Sequence, residues 1–228
     1  MNEVWVFIEE YNRKIHPVSF ELLGVARKLA EDLSGKVAAL LIGDNIKSLI
    51  DEVFAYGADK IYLVEHKVLS YYRHIPYAYV LAELAKKYKP EIFLIGATTL
   101  GRDLAGGVAT LLETGLTADV TELAIDPETK NLLMTRPAYG GNIMATIVCP
   151  NHRPQMATVR PRVFPIPEKK EGRSGEVIEE KVELSEEMAG VERINFIPKE
   201  ETVNLEYAEV IVAGGKGIGG KEGFEILR

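Results

Sequence analysis

Cysteine, tryptophan and glutamine are nearly missing from this chain: one of each stands in 228 residues. The single Cys149 excludes an intrachain disulfide and any metal or iron–sulfur site built from clustered cysteines. Long apolar runs are missing too, and none approaches the ~20 residues that a membrane helix needs. Positive charge is short, with 27 Lys and Arg against 34 Asp and Glu and a net charge of −7. That sign is unsuited to broad binding of nucleic acid or acidic lipid. His16, His66, His74 and His152 share no ligand spacing, and none stands beside Ser or Cys in a nucleophile motif. Neither a metal site nor a histidine-based catalytic triad is therefore expected. The start, Met1-Asn2-Glu3-Val4-Trp5, is neither a signal peptide nor an Arg-rich presequence, so a cytoplasmic protein is expected.

What is there is an ordinary globular balance, 46% apolar and 27% charged, enough for one large domain or one domain plus part of another. The acid is uneven: residues 165–206 carry twelve Glu against six Lys and Arg, leaving the remainder close to neutral. The first 115 residues alternate strand and helix signals. Val4–Ile8, Val37–Ile42, Ile61–Val64 and Ile92–Ile95 are short apolar runs that suit buried strands. Leu22, Ala26, Leu29, Ala30 and Leu33 line one helical face that Ser34-Gly35 ends. Further helices are expected around Leu49–Phe54 with Gly57 as a stop, over Pro76–Tyr88, and over Arg102–Leu112. This alternation predicts an α/β fold, a three-layer parallel sheet with helices on both faces.

After Gly115 the rhythm changes. Thr117–Ile125, Leu132–Arg136, Ile143–Cys149 and Gln155–Val163 suggest strands and hairpins added to the same domain, separated by turn clusters at 126–131 and 150–154. The predicted divisions are an N-terminal α/β domain over 1–163, a linker and acidic segment over 164–206, and the start of a second domain over 207–228. Within the middle division, 164–175 is expected to be an exposed linker and Val177–Leu184 to hold one strand. In the last, Glu209–Ala213 is expected as a strand, Gly214–Gly220 as a Gly-rich loop and Glu222–Arg228 as the opening of a helix, a doubly wound domain cut off after it begins.

Three constellations could carry chemistry. Gly96-Ala97-Thr98-Thr99-Leu100-Gly101-Arg102-Asp103-Leu104 follows the fourth strand, where open parallel sheets bind ligands. Thr98, Thr99 and Arg102 there either face a nucleotide or phosphate, or form a tight strand–helix turn with Thr as cap and Arg102 paired locally. The frequency of short Gly/Thr turns favours the second. Gly214-Gly215-Lys216-Gly217-Ile218-Gly219-Gly220 is placed to cradle a phosphate, with Lys216 as cation, or is simply a flexible loop; it lacks the P-loop Gly-Lys-Ser/Thr. Arg136-Pro137-Ala138-Tyr139-Gly140-Gly141-Asn142 is a turn or bulge, or an interface.

With these segments laid out, the chain resembles the α subunits of the electron transfer flavoprotein family. Residues 96–105 resemble that family's GATxxGRDLA, 114–119 its TGLTAD, 136–142 its RPAYGGN and 157–161 its ATVRP. Gly57-Ala58-Asp59 fits its GAD step, and Gly214-Gly215-Lys216-Gly217 resembles the GGRG that opens its flavin domain. The resemblance implies a first domain akin to nucleotide-binding hydrolase-like folds that holds no nucleotide and packs on a β subunit. It implies a second domain that binds FAD, with Gly214, Gly215, Lys216 and Gly217 near the diphosphate and most of the cofactor held by residues absent from this chain. It also implies an interface containing Arg136, Tyr139, Gly140, Gly141 and Asn142. The implied role is an electron carrier subunit rather than a stand-alone enzyme. It would pass electrons from a dehydrogenase or NADH-linked partner to a quinone reductase or other acceptor, in some members within an electron-bifurcating complex, and touch membranes only through partners. Gly106-Gly107 and Val120 depart from the family pattern, and Lys216 keeps the charge of Arg without its planar fork. The alternative is a universal-stress-type ATP/AMP-binding signalling domain using Gly96–Arg102, against which the strand-rich 117–163 region argues.

Overall fold

The computed structural model describes residues 2–197, 205, 208 and 210–227. The chain forms two compact units, Met1–Val191 and Glu192–Arg228. The first is built on seven parallel strands in the order β12-β5-β4-β1-β6-β11-β7. These are β1 (Glu3–Phe7), β4 (Lys36–Gly43), β5 (Lys60–Glu65), β6 (Ile92–Gly96), β7 (Leu116–Val120), β11 (Gln155–Val159) and β12 (Glu176–Glu179). Four helices connect them: α1 (Pro17–Asp32), α2 (Ile50–Ala55), α3 (His74–Tyr88) and α4 (Thr99–Leu111). A two-stranded hairpin, β2 (Glu10–Tyr11) with β3 (Lys14–Ile15), follows β1. Three antiparallel strands, β8 (Glu122–Ile125), β9 (Leu132–Ala138) and β10 (Ile143–Ile147), form a second sheet in the order β10-β9-β8.

Two separate cores make the three layers. Successive side chains of a strand point to opposite faces, so Val4 and Val6 join the core with Leu22, Leu29 and Val53 of the α1–α2 side. Trp5 and Phe7 join the core with Leu81, Leu84 and Leu104 of the α3–α4 side. Both faces of the sheet are therefore covered, and the strands read as unbroken apolar runs. The one acid at the start of β1, Glu3, is buried but satisfied: it accepts from Trp5 Nε1 at 2.8 Å, Tyr62 Oη at 3.0 Å and Lys60 Nζ at 2.9 Å. Among the described residues no helix is long and apolar enough to cross a membrane.

Helices α1 and α4 start earlier than the apolar spacing suggests, because capping sets them. His16 caps α1, its Nδ1 accepting from the Val18 amide at 3.3 Å, and Pro17 occupies the first turn where no amide is needed. Thr98 caps α4 in the same way. At the other end of α1, Ser34 takes a left-handed φ of 51° and the Gly35 amide closes on Ala30 O at 2.7 Å.

Four expectations need correction. The single strand expected over Thr117–Ile125 is two: β7 belongs to the parallel sheet and β8 to the antiparallel one. The path turns at Asp119, whose φ is 62°, and the Thr121 amide bonds Thr135 O instead of continuing the first ladder. The strand expected over Gln155–Val163 ends at Val159 and is no hairpin arm; it lies between β6 and β7, buried throughout. Gln155 fixes it there, its side chain accepting from the Leu132 amide at 2.8 Å. Residues 164–191 are not a free linker. Lys170 N bonds Ala55 O at 2.9 Å, Arg173 pairs with Asp59 at 2.8 Å, and the strand expected in the acidic segment is β12, paired in parallel with β5. Glutamates of this segment meet lysines from earlier in the chain: Glu179 with Lys47 and Glu180 with Lys87, both at 2.8 Å. Buried Arg73 holds Glu186 at 2.6 Å, Val68 O at 2.8 Å and Val191 O at 3.5 Å.

The fourth correction concerns the second unit. Val210–Ala213 carry no strand pairing, and Val210, Ile211 and Val212 are exposed; Glu209 lies outside the described residues. A strand needs a neighbour to take its amides and carbonyls, and no described residue supplies one. The helix expected from Glu222 is a 3₁₀ helix, Lys221–Leu227.

Candidate functional site

At β1 and β6 the chain leaves the sheet in opposite directions, the place where an open α/β sheet ordinarily takes its ligand. Here that place is filled from within. Thr98 Oγ1 accepts from the Gly101 amide at 2.9 Å and donates to Glu9 Oε2 at 2.6 Å. Glu9 in turn is fixed by its amide, which donates to Ser19 Oγ at 3.0 Å. The Arg102 guanidinium is turned away, Nε donating to Ala97 O at 2.9 Å and Nη2 reaching Asp119 at 3.3 Å. Helix and strand touch directly: a Cβ on Gly101 would stand 1.9 Å from Gly96 O. Thr98 and Arg102 thus serve a tight strand–helix turn, and a carboxylate stands where an anionic ligand would need a cation. Just beyond it, Asp103 accepts from Tyr72 Oη and lies 3.0 Å from His74 Nδ1; the Tyr72 hydrogen bond, then His74, hold its carboxyl below the usual range.

The Arg136–Asn142 segment forms the tip joining β9 to β10. Tyr139 has φ 48°, Gly140 71° and Gly141 93°, three left-handed residues in a row. Glycine accepts that backbone freely, whereas Tyr139 bears it as a residue 84% exposed. Strand β10 follows with Ile143 and Met144 each more than half exposed and Ile147 also exposed, and Val148 just past its end is exposed too. Registers Ile143↔Ala138, Ala145↔Arg136 and Ile147↔Met134 put Ile143 and Ile147 on the face that carries Arg136. The inner part of that face, Leu132 and Met134, is core; the outer part overhangs it. Several apolar side chains are thus exposed together along this edge.

Beside Arg136 lies a charge cluster that the spacing of residues did not reveal. Asp119 accepts from Arg160 Nε at 3.1 Å and Nη2 at 2.6 Å, and Arg102 reaches it as well. The Arg160 fork above all, then the nearby Arg102 and Arg136 charges, hold its carboxyl below the usual value. The four residues come from 102, 119, 136 and 160, each inside a segment already singled out, but only the fold brings them together.

The Gly-rich loop lies in the second unit. Lys216–Ile218 is a single 3₁₀ turn closed by the Ile218 amide on Gly215 O at 3.0 Å. A Cβ on Gly215 or Gly217 would meet nothing within 4 Å, while one on Gly214 would strike Ile218. Small, open residues around one lysine fit a close approach by a diphosphate; they are too few to enclose a whole dinucleotide.

Taken together, these features define a nucleotide-fold domain with a self-filled crevice and an outward apolar hairpin. The profile of the Electron transfer flavoprotein domain family matches residues 4–185, and the chain belongs to that family. It is 48% identical, over 99% of its length and 68% of the relative's, to "Electron transfer flavoprotein subunit alpha" of Thermoanaerobacterium thermosaccharolyticum. It is 46% identical, over 97% of its length, to the protein of the same description from Megasphaera elsdenii. It is 47% identical, over 99% of its length, to "Protein FixB" of Azorhizobium caulinodans, of which it spans 62%.

Proposed function

We propose that this chain is the α/β platform and the beginning of the flavin domain of an electron transfer flavoprotein α subunit. In the whole protein its role is to dock a β subunit and help hold FAD, which supplies the redox chemistry when bound. The donor is a dehydrogenase or NADH-linked partner and the acceptor a quinone reductase or other oxidant. The observation that carries this reading is the β9–β10 hairpin, which carries an exposed apolar strand and an exposed tyrosine. Arg136, Tyr139, Gly140, Gly141 and Asn142 are its proposed interface residues. Gly214, Gly215, Lys216 and Gly217 are proposed to lie against the FAD diphosphate, the glycines admitting backbone approach and Lys216 offsetting charge. The partner surface expected of a permanent pair is more than about 2,000 Å². Co-purification of the full-length protein with its β subunit tests the reading: a yellow complex with flavin absorbance near ~450 nm is expected. A colourless protein that ignores the β subunit in sedimentation at micromolar concentration would end it. Two flavins per heterodimer, one released only with the β subunit, would identify a bifurcating member; one flavin would identify a simple carrier.

A further inference from the structure

Around Asp119 the local charges do not balance. Three guanidinium groups, of Arg102, Arg136 and Arg160, face one carboxylate. Arg160 occupies it with a two-point fork and Arg102 with one nitrogen. Arg136 makes no hydrogen bond to it, and Arg136 Nε is buried with no acceptor among the described residues. Buried donors in native proteins are nearly always satisfied. Arg73 Nε is unpaired in the same way, but Arg73 is held within the chain through its other nitrogens; the Arg136 guanidinium has no such hold among the described residues, so it can take an acceptor from outside. The setting says what kind. Arg136 lies on one face with Ile143 and Ile147 of β10, both exposed, and next to the exposed Tyr139 tip. A free small anion would leave those apolar groups in water; a protein surface would cover them and desolvate the arginine together. Arginine amid aromatic and aliphatic groups is the composition of an interface hot spot, and its planar fork matches a carboxylate at two points.

We infer that Arg136, with Arg102 beside it, is a receptor for a single aspartate or glutamate side chain of the partner subunit, seated between Ile143 and Tyr139 when the two proteins dock. This rests on the reading of the hairpin as the subunit interface. The carboxylate would complete a five-member network of three cations and two anions, with Arg160 remaining on Asp119.

The test is equilibrium association of the full-length α subunit with its β subunit across a salt series, for wild type, Arg136→Gln, Arg136→Lys and Tyr139→Ser. Arg136→Gln should weaken association about tenfold or more and flatten its salt dependence. Arg136→Lys should keep the salt dependence but recover only part of the affinity, because the fork is lost. Both should still fold cooperatively without the partner, and Arg136→Lys, which keeps a charge near Asp119, should unfold close to wild type. If Arg136→Gln leaves affinity and salt dependence unchanged while Tyr139→Ser weakens binding, the carboxylate receptor is refuted and the docking surface survives. If neither changes binding, the docking surface itself is wrong. Binding of inorganic phosphate to the unpartnered protein below about millimolar, abolished by Arg136→Gln, would also overturn the inference in favour of a small-anion site.

Discussion

Two glycines of the same helix should respond in opposite directions to the same methyl group. Gly101 lies in the first turn of α4, against the end of β6; Gly106 lies one and a half turns on, where a Cβ would meet nothing within 4 Å. At Gly101 the new Cβ would stand 1.9 Å from Gly96 O and 3.1 Å from Ile95 Cγ2. The first obstacle is backbone, so it cannot rotate aside; the helix start must retreat by about 1 Å, the kind of overpacking that costs roughly 1–3 kcal/mol. That retreat also pulls the Gly101 amide from Thr98 Oγ1, a cap bond of 2.9 Å, for about 1 kcal/mol more. Alanine returns about 1 kcal/mol through helix propensity. The net for Gly101→Ala is a loss of about 1–3 kcal/mol, whereas Gly106→Ala should gain about 0.5–1 kcal/mol. Urea denaturation followed by far-UV circular dichroism reads both, with the midpoint moving and the slope constant. A Gly101→Ala protein as stable as wild type would refute the direct helix–strand contact, and with it the account of why the crevice at β6 is closed.

Calorimetry with AMP or ATP should show no binding tighter than about millimolar, or about 4 kcal/mol, because Glu9 occupies the crevice; micromolar binding lost in Thr98→Ala would contradict this. Arg73→Gln should release the 180–191 segment, raising tryptic cleavage after Lys181 about tenfold while cleavage in β4 stays unchanged. Protection of Lys181 equal to wild type would show that Arg73 does not anchor the segment. Asp119→Asn should cost about 2 kcal/mol at pH 7, the value of charge-assisted hydrogen bonds. Because the folded-state pKa of Asp119 is lowered, its contribution is full above the ordinary value near 3.8 and is lost as pH falls through the depressed folded value. The gap between variant and wild type should therefore close progressively below about pH 4; a gap constant down to pH 2 would put the stabilisation elsewhere.

Strands β1, β4, β5 and β6 were legible because each is an uninterrupted apolar run, the pattern forced by burial on both faces. The turn at Gly96–Arg102 was legible as a cap because Thr precedes a glycine and an arginine that can fold back. Helix α1 began earlier than expected because histidine is a rare cap, and its apolar face is silent about the first turn. The membership of β7 and β11 in the central sheet was not legible: parallel neighbours need not be close in sequence, and β11 finds β6 across some sixty residues of chain. The docking of 164–191 was hidden for a similar reason. Its anchors, Lys47, Asp59, Arg73 and Lys87, are scattered through the first hundred residues, and a run of glutamates looks solvated until the lysines opposite are in place. Arg136 could be picked from its motif, but its orphaned nitrogen and its place beside Asp119 are properties of the fold alone.

Strand β12 has a consequence for how this domain can be handled. It closes one margin of the parallel sheet, and it is a poor template for further growth. Glu176 and Glu179 flank its two apolar residues, and like charges meeting like charges would oppose the stacking of a second copy. Remove it and the margin passes to β5, whose Ile61, Tyr62, Leu63 and Val64 present a flat, uncharged row with open amides and carbonyls. A fragment cut near Phe164, at the end of the α/β pattern as the sequence suggests it, would expose that row. It should self-associate through it, while one cut after Val191 should stay monodisperse. The acidic stretch is in this sense a built-in gatekeeper against fibril-like pairing.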